Sequence, residues 1–592
     1  MVTLKTIVEN PESAEKLNAA FADLRADFEL DLETSKENID NLIRLHVNTK
    51  NNLDSLASSS KLSSGVLEGL RGTGKTHLML LSRHKINKKL FEERNFCVYI
   101  NLKRFSTTES PNEDVFNRSF ALFVIENIIN QISLEAKATG KSSWLSTLLS
   151  KEEKEKRDFI TQLSEAIDTA YECALSCLSG NATLHNIGTS TNTIIQKTEE
   201  AKQSINELKT KASALNQSVN LNLKDSTKKR DISEQENSSI EEIYFDISQF
   251  HSSLKKIISS LNLRSLIFYF DEWEKLYETG NFQRNSAKFI NKIIDTPIYC
   301  WIAYVPYRGL LSPLSIGGDL QHSINLDKDL IIERSKADKT GCIEYFTDFI
   351  NRRLNLSFND SSVTCKTLIN TPKKMELLIL GSMGNTRDFG TILLTAWQNF
   401  KNYRTGKLGR GKPYQYISEY HIKEAIKQDG RKKLQNIEGD HNTIRVWNDI
   451  VDYINEKKYS HFAIPETSEK KESLGEREYS ELFYQRILHI RKTGVEPKDT
   501  TPEYKLSILA PSFSVTQENQ SKIKYVTESK EIDSRIRRYI FDPTKIINLI
   551  RVQEGRIHPC INCQTNINSE KMKAAWESNT CPFCGGNIYN KN

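Results

Sequence analysis

The chain has 592 residues, of which 38% are hydrophobic and 27% are charged, and its formal net charge is +6 at pH 7. This length has room for several domains. No apolar run approaches the length of a membrane span, and the first residues lack the apolar core of an export signal, so we expect a soluble, cytoplasmic protein without a membrane partner. A net charge this mild does not by itself indicate nucleic acid.

The first 60 residues show the apolar spacing of helices. They end in a Ser-rich link, SLASSSKLSSG, at residues 55–65. The sequence therefore predicts an N-terminal helical segment over residues 1–60.

The stretch EGLRGTGKTHLML, residues 68–80, contains the phosphate-binding pattern G-x-x-x-x-G-K-[ST]. Glycines let consecutive backbone N–H groups face phosphates, the lysine reaches the β- and γ-oxygens, and the threonine hydroxyl holds Mg²⁺. The alternative is a glycine-rich turn with a chance lysine, but a short apolar stretch before the loop and an apolar-rich helix after it favour the P-loop. The predicted nucleotide contacts are Gly69, Gly72, Thr73, Gly74, Lys75 and Thr76.

The residues after this loop have the pattern of a parallel-sheet domain. Residues 95–102, NFCVYINL, are rich in β-forming residues, and residues 115–136 form a strong amphipathic helical pattern. Alternating strands and helices predict an α/β nucleotide-binding core, which we assign to residues 61–335.

A polar insertion of about residues 140–240 interrupts the predicted core. Phe159, Leu163 and Ile167 have helical spacing, whereas residues 216–239 are charged and poor in aromatic side chains, and are expected to be mobile or partly helical. A tolerated surface insertion and a partner-sensing arm both fit this composition.

A buried strand ending in two acids follows the insertion. Residues 266–270 are continuously apolar, as in a strand covered on both faces, and Asp271 and Glu272 come next. We expect Asp271 to hold Mg²⁺ together with Thr76, and Glu272 to polarise the attacking water. The alternative is that Asp271 only caps the helix that follows.

Together with a fourth stretch, LGSMGNTRDFGTILLTAW at residues 380–397, these motifs resemble the AAA+ ATPases of the initiator clade, which are related to origin-recognition ATPases. The resemblance spans residues 42–400 and implies a helical lid, placed at residues 336–400. In that family a G-x-x-R segment opens a lid helix, and its arginine contacts the γ-phosphate; Gly384 and Arg387 match it here. A planar guanidinium suits this role, although a surface salt bridge is the alternative reading of Arg387.

Two positions depart from the family pattern. The strand after the acid pair should end in a polar sensor, usually Asn or Thr, but residues 297–309 offer only Tyr304, Tyr307 and Arg308. Arg308 is also the one candidate for the family's inter-subunit arginine in this segment. The sequence therefore does not support hydrolysis shared between subunits of a ring.

Residues 401–550 are predicted to form a winged-helix-like module. Helical patterns at residues 442–458 and 477–494 lead into β-like residues 504–515 and 521–528, and relatives of the initiator clade carry such a module after the lid. His489, Arg491 and Lys492 near the end of the second pattern suit a groove-reading helix, although winged helices also bind proteins. The basic, tyrosine-bearing residues 401–416 fit nucleic acid or a charged linker equally well.

The ten cysteines fall into two sets. Six are scattered in mostly apolar surroundings, which suits buried thiols in a reducing compartment: Cys97, Cys173, Cys177, Cys300, Cys342 and Cys365. The other four form two C-x₂-C pairs that predict a structural Zn²⁺ site in a ribbon over residues 551–592: Cys560, Cys563, Cys581 and Cys584. A redox-active pair, or His558 replacing one thiolate, are the alternatives.

The interpretation that combines these motifs is an AAA+-like switch that binds ATP and hydrolyses it to ADP and phosphate. Glu272, Lys75 and Arg387 are its candidate catalytic residues, and ATP, Mg²⁺ and Zn²⁺ are its expected cofactors. Nucleic acid, DNA first, or a protein effector is the expected partner. The alternative is a nucleotide-controlled signalling or scaffold component of an antiviral defence system that does not bind nucleic acid. A metabolic kinase is disfavoured, because the rest of the chain is predicted to form binding modules.

Overall fold

The structure is a computed structural model of the chain. It describes these residues: 4–22, 36–107, 111–141, 152–178, 188–214, 245–277, 279, 281–358, 363–405, 415–498, 504–518, 523–569 and 572–589. In this part of the chain, no helix has both the length and the apolar character needed to cross a membrane.

The core is a parallel sheet of five strands in the order β2-β3-β4-β1-β5. The strands are β1 (Gly65–Glu68), β2 (Asn95–Asn101), β3 (Ser265–Asp271), β4 (Ile298–Tyr304) and β5 (His322–Asn325). Every residue of β3 is buried, because alternate side chains enter two hydrophobic cores on opposite faces of the sheet. This explains the unbroken apolar run in the sequence, and the α/β fold class is confirmed.

Helices cover both faces of this sheet. They are α4 (Asn52–Ser59), α5 (Lys75–Asn87), α6 (Leu90–Glu93), α7 (Glu113–Lys141), α10 (Ile247–Ser260) and α11 (Phe282–Ile293). α4 and α5 pack on one face, and α7, α10 and α11 on the other. Short 3₁₀ turns lie at Leu102–Arg104, Trp273–Leu276, Leu326–Lys328 and Ile536–Arg538.

Two long helices fill much of the insertion, α8 (Glu152–Leu178) and α9 (Gly188–Ala214). Phe159, Leu163 and Ile167 are buried in the same core as α7, as their helical spacing indicates. Residues 216–239, which we expected to be mobile or partly helical, lie outside the described residues. The described part of the insertion therefore packs on the sheet domain.

The lid contains α12 (Lys336–Phe358), α13 (Cys365–Leu368), α14 (Pro372–Ser382) and α15 (Thr386–Thr405). The N-terminal helices are α1 (Leu4–Glu9), α2 (Pro11–Ala22) and α3 (Lys36–Leu45). Leu17 and Phe21 of α2 join the hydrophobic core of the lid, where Phe21 stacks on Trp397 with ring centroids 5.4 Å apart. The start of the chain therefore packs on the lid.

The C-terminal module, residues 415–553, contains helices around an antiparallel sheet of order β6-β8-β7. Its elements are α16 (Glu419–Gln435), α17 (His441–Lys457), β6 (Phe462–Pro465), α18 (Ser468–Leu474), α19 (Arg477–Tyr484), β7 (Leu488–Val495), β8 (Leu506–Pro511), α20 (Phe513–Glu518), α21 (Ser529–Ser534) and α22 (Thr544–Gln553). Helices thus lead into an antiparallel hairpin, but its strands are β7 and β8, whereas the sequence predicted them at residues 504–515 and 521–528. After α16, the order up to β8 is helix, strand, helix, helix, strand, strand.

The predicted helix over residues 477–494 is wrong in its second half. α19 ends at Tyr484, and Arg486 then adopts a left-handed backbone conformation, with φ 58°, that ends the helix. Residues 488–495 pair with β8 as a strand. Predicted strand residues 523–528 form no strand; among them only Lys524 makes an isolated bridge, to Tyr459. His489, Arg491 and Lys492 consequently lie on β7 and not on a groove-reading helix.

A small C-terminal ribbon completes the described chain. It contains β9 (Ile557–Pro559), β10 (Asn566–Asn568) and α23 (Lys573–Glu577). β9 and β10 pair antiparallel, and the ribbon has a hydrophobic cluster of its own. The four clustered cysteines lie around this hairpin.

Candidate nucleotide site and candidate zinc site

The glycine-rich loop connects the end of β1 to the start of α5. Gly72 and Gly74 have positive φ angles, 83° and 95°, which glycine adopts without strain. The Lys75 ammonium is buried and donates to the carbonyl oxygens of Gly69 at 2.7 Å and Leu70 at 3.2 Å. The loop therefore curls around the lysine, at the N-terminus of a helix whose dipole favours anions.

The first acid of the pair faces this loop from the tip of β3. Asp271 Oδ2 accepts hydrogen bonds from Thr76 Oγ1 at 2.6 Å and from the Tyr99 hydroxyl at 2.7 Å. Glu272 occupies the N-cap position of the 3₁₀ turn that follows, so Asp271 lies one residue before that position, and its Oδ1 accepts from Glu272 N at 2.9 Å. A hydroxyl and a carboxylate in direct contact are two oxygen ligands of the kind that Mg²⁺ prefers.

Glu272 follows in a left-handed conformation, with φ 60°. Such a conformation is uncommon for a residue with a side chain and is frequent at functional sites. Burial, helped by the nearby carboxylates of Glu274 and Asp271, raises the pKa of Glu272 to about 7. A carboxyl with this pKa is suited to accept a proton near neutral pH.

The start of α15 lies directly on the P-loop. The Asn385 side-chain amide donates to Arg71 O at 2.8 Å, the Thr386 hydroxyl to Gly72 O at 2.5 Å, and Arg387 N to Gly72 O at 3.1 Å. A Cβ atom on Gly72 would lie 2.2 Å from Arg387 Cβ, so this close approach requires glycine. The lid is therefore in hydrogen-bond contact with the loop that would hold the phosphates.

One cavity of about 660 Å³ brings these groups together. This volume lies in the range of small-molecule and cofactor sites. Five of the six predicted P-loop contacts line it, with Glu272 and Arg387. Gly69, Asp271 and Gly384 are not among the lining residues, although Asp271 contacts Thr76, which is, and Gly384 lies in the turn before α15. Other lining residues come from the N-terminal segment and the lid: His46, Val47, Asn48, Tyr345, Phe349 and Arg353.

Sequence motifs did not identify two residues that support the site. Tyr99 carries no motif of its own, but its place on β2 beside β3 indicates a side chain near the strand tips. Asp327 accepts twice from Leu70 N, at 3.1 and 3.0 Å, and burial raises its pKa to about 6. No sequence signal marks Asp327, because its partner is a backbone group distant in the chain.

The structure explains why residues 297–309 supply neither the polar sensor nor the inter-subunit arginine of the family. Tyr304, Tyr307 and Arg308 are absent from the described cavity lining. Arg308 forms an ion pair with Glu481 and lies 3.9 Å from the ring centroid of Tyr484, both in α19, with its side chain 5% exposed. It is therefore packed within the chain and is not presented to a neighbouring subunit.

The four C-terminal cysteines converge. The Sγ atoms of Cys560 and Cys584 are 3.6 Å apart, those of Cys563 and Cys581 are 3.7 Å apart, and all four lie within 4.8 Å of one another. Thiolates at about 2.3 Å from a tetrahedral Zn²⁺ have similar separations, so the donor set fits a closed structural site. His558 instead contacts Gly555 O and stacks on Trp576, with ring centroids 4.2 Å apart.

No protein-family model and no curated protein matches the chain. Among solved structures, the chain is similar to the ORC1 protein of Aeropyrum pernix in complex with DNA, with 11% identity over 81% of this chain and 95% of that chain, and a TM-score of 0.30. A TM-score of this size does not establish a common fold, so the functional assignment depends on the residues of the site itself.

Proposed function

We propose that the chain is an ATP-binding and ATP-hydrolysing switch. The observation that carries this proposal is one cavity lined by the P-loop, Glu272 and Arg387, in which the lining residue Thr76 donates to Asp271. These are the groups that phosphoryl transfer to water requires: a phosphate cradle, metal ligands, a group that orients water and a mobile cation.

Binding follows from the P-loop and its surroundings. Lys75 exchanges its carbonyl partners for the β- and γ-phosphates, and the backbone N–H groups of the loop face the same oxygens. Thr76 and Asp271 are the residues that would hold Mg²⁺, which neutralises phosphate charge when bound. Tyr99 fixes the orientation of the Asp271 carboxylate.

Hydrolysis is assigned to Glu272. Its carboxylate accepts a proton from water as the water oxygen forms a bond to the γ-phosphorus, and the bond from that phosphorus to the β–γ bridging oxygen breaks, giving ADP and phosphate. The raised pKa of Glu272 suits this proton transfer. Arg387, on the lid, lines the same cavity, and we assign to it the contact with the phosphate that leaves.

The switch itself is the lid. Because α15 hydrogen-bonds the backbone of Arg71 and Gly72, a change of phosphate occupancy in the P-loop acts directly on the lid. ATP closes the lid on the core, and hydrolysis releases it.

Nucleic acid is the second part of the proposal, with DNA as the first candidate. The order of elements from α17 to β8 is that of a winged helix, and a four-cysteine ribbon follows. α19 is not the groove-reading surface, because only Arg477 among its residues is exposed. Neither the structure nor the comparisons support the defence-scaffold alternative. Salt-dependent gel shifts with duplex DNA, single-stranded DNA and RNA test this part, and equal absence of binding to all three would contradict it.

The test of nucleotide binding is Lys75→Ala. Loss of the buried ammonium should abolish measurable ATP binding by calorimetry, because the charge opposite the phosphates disappears. Lys85→Ala is the matched control, since Lys85 lies on the same helix but is exposed and pairs with Asp54. Equal ATP affinity for Lys75→Ala and the wild type would contradict the proposed function.

A further inference from the structure

The start of α15 is the point where the P-loop, the lid and the C-terminal module meet. Thr386 and Arg387 contact the P-loop backbone, as described above. Asn385 Oδ1 accepts from the backbone N–H groups of Arg387, at 3.1 Å, and Asp388, at 3.2 Å. The backbone of Asp388 therefore belongs to the same hydrogen-bonded cap that connects α15 to the P-loop.

The side chain of Asp388 is paired with α16, whose Ile422 and Ile426 belong to the hydrophobic core of the lid, and with the C-terminal module. Its Oδ2 accepts from Lys433 Nζ of α16 at 2.6 Å, and its Oδ1 from Arg486 Nε, between α19 and β7, at 2.9 Å. The Asp388 side chain is 2% exposed and that of Lys433 4%. A buried carboxylate persists only when it is paired, so the conformation of α15 at this point depends on Lys433 and, from outside the lid, on Arg486.

The electrostatic setting agrees with this dependence. Burial alone would raise the pKa of Asp388, but the charges of Arg486 and Lys433 outweigh burial and hold the pKa below its usual value. Asp388 is therefore ionised in the folded protein at neutral pH, and its charge is balanced by Lys433 and Arg486.

A second connection runs from the nucleotide cavity to the same module. Tyr484, the last residue of α19, lies under the guanidinium of the P-loop residue Arg71, 4.7 Å from the ring centroid. The Lys275 ammonium donates to the Tyr484 hydroxyl at 3.2 Å. Arg71 and Lys275 both line the nucleotide cavity, so this module also contacts the rim of the cavity.

We propose that Asp388 is a positioning residue, which holds the start of α15 on the P-loop through its pairs with Lys433 of α16, within the lid core, and with Arg486 of the docked C-terminal module. This inference rests on the proposed ATPase function and adds its regulation. Docking of the module completes the nucleotide site, and a partner that displaces the module lowers ATP turnover. By thermodynamic reciprocity, ATP also changes how firmly the module is docked.

The test uses the full chain with Arg486→Gln, Asp388→Asn and the double variant. Each single variant should lower kcat about tenfold or more, because small displacements of positioned groups carry large rate penalties. ATP affinity should change less than about threefold, and the double variant should be no slower than the slower single variant, since both changes break one connection. Arg486→Lys, which keeps the charge, should recover part of the rate.

The matched control is Glu476→Gln. Glu476 pairs with Arg551 and Arg556 within the C-terminal part of the chain, and its loss should leave kcat unchanged. A folded Arg486→Gln protein with wild-type kcat would overturn the proposal, and so would an equal loss in Glu476→Gln or additive losses in the double variant. If Asp388→Asn does not fold, Arg486→Gln carries the test, because Arg486 is only one of two partners and is 15% exposed.

A readout that does not depend on hydrolysis separates this inference from the proposed function. Hydrogen exchange in residues 477–495 should change when wild type binds ATP or a non-hydrolysable analogue, and this change should be lost in Arg486→Gln. Nucleotide binding without turnover, combined with this pattern, would reject ATPase activity and retain the positioning role. Normal turnover with identical exchange responses in wild type and Arg486→Gln would retain the ATPase activity and reject the positioning role. Absence of nucleotide binding by wild type would reject both proposals.

Discussion

The nucleotide site and the zinc site are held in place by different means. The P-loop and Asp271 lie on a five-stranded sheet with hydrophobic cores on both faces, and their polar groups have partners within the protein. In the ribbon, the buried cluster consists of Cys560, Ile567, Cys581 and Ile588, so half of its members are candidate metal ligands. The sheet therefore preserves the P-loop and Asp271 without a ligand, whereas we expect the ribbon to need a bound metal to fold.

The largest effect should come from removing zinc. Purified protein should contain one zinc per chain, and Cys560→Ser should lose the metal and unfold residues 557–589, because zinc coordination in small domains contributes on the order of 10 kcal/mol. Metal analysis and hydrogen exchange measure the two results, and ATP turnover should persist. Lys573→Ala, an exposed change in the same ribbon, is the control. A zinc-free protein with four fully reactive ribbon thiols would show that the site is not metallic.

A smaller effect should appear in the pH dependence of ATP turnover. Glu272 must be deprotonated to accept a proton, and burial with two neighbouring carboxylates raises its pKa to about 7. The value of kcat/KM should therefore be constant at high pH and fall about tenfold per pH unit below that pKa. Steady-state rates at constant ionic strength measure this profile. A profile that rises toward acid pH would reverse the assigned role of Glu272.

The smallest effect should come from Tyr99→Phe. The change removes only the hydroxyl that donates to Asp271 Oδ2 at 2.7 Å, so the carboxylate loses part of its orientation. The Mg²⁺ concentration needed for half-maximal turnover should rise about tenfold, as for other residues that orient metal ligands. Tyr171→Phe is the control, because its ring lies on the distant α8. An unchanged Mg²⁺ dependence would remove Tyr99 from the site.

Local patterns predicted the residues whose chemistry depends on neighbours in sequence. The glycine spacing of the P-loop and the apolar run before Asp271 were of this kind, as was the paired cysteine spacing. Contacts between distant segments produce no local sequence pattern. Tyr99, Asp327 and Asp388 each make such a contact, so the sequence did not identify them. The wrong helix prediction at residues 485–494 also came from a long-range contact. The apolar residues there have helical spacing, but pairing with β8 makes residues 488–495 a strand.

Glu272→Gln is the decisive test of whether Glu272 activates water for attack on ATP. The amide keeps the size of the side chain and leaves Asp271 and Thr76 in contact, but it cannot accept the proton. ATP affinity by calorimetry should match wild type, while turnover should fall about 10²-fold or more. Wild-type turnover in a folded Glu272→Gln protein that still binds ATP would contradict the account.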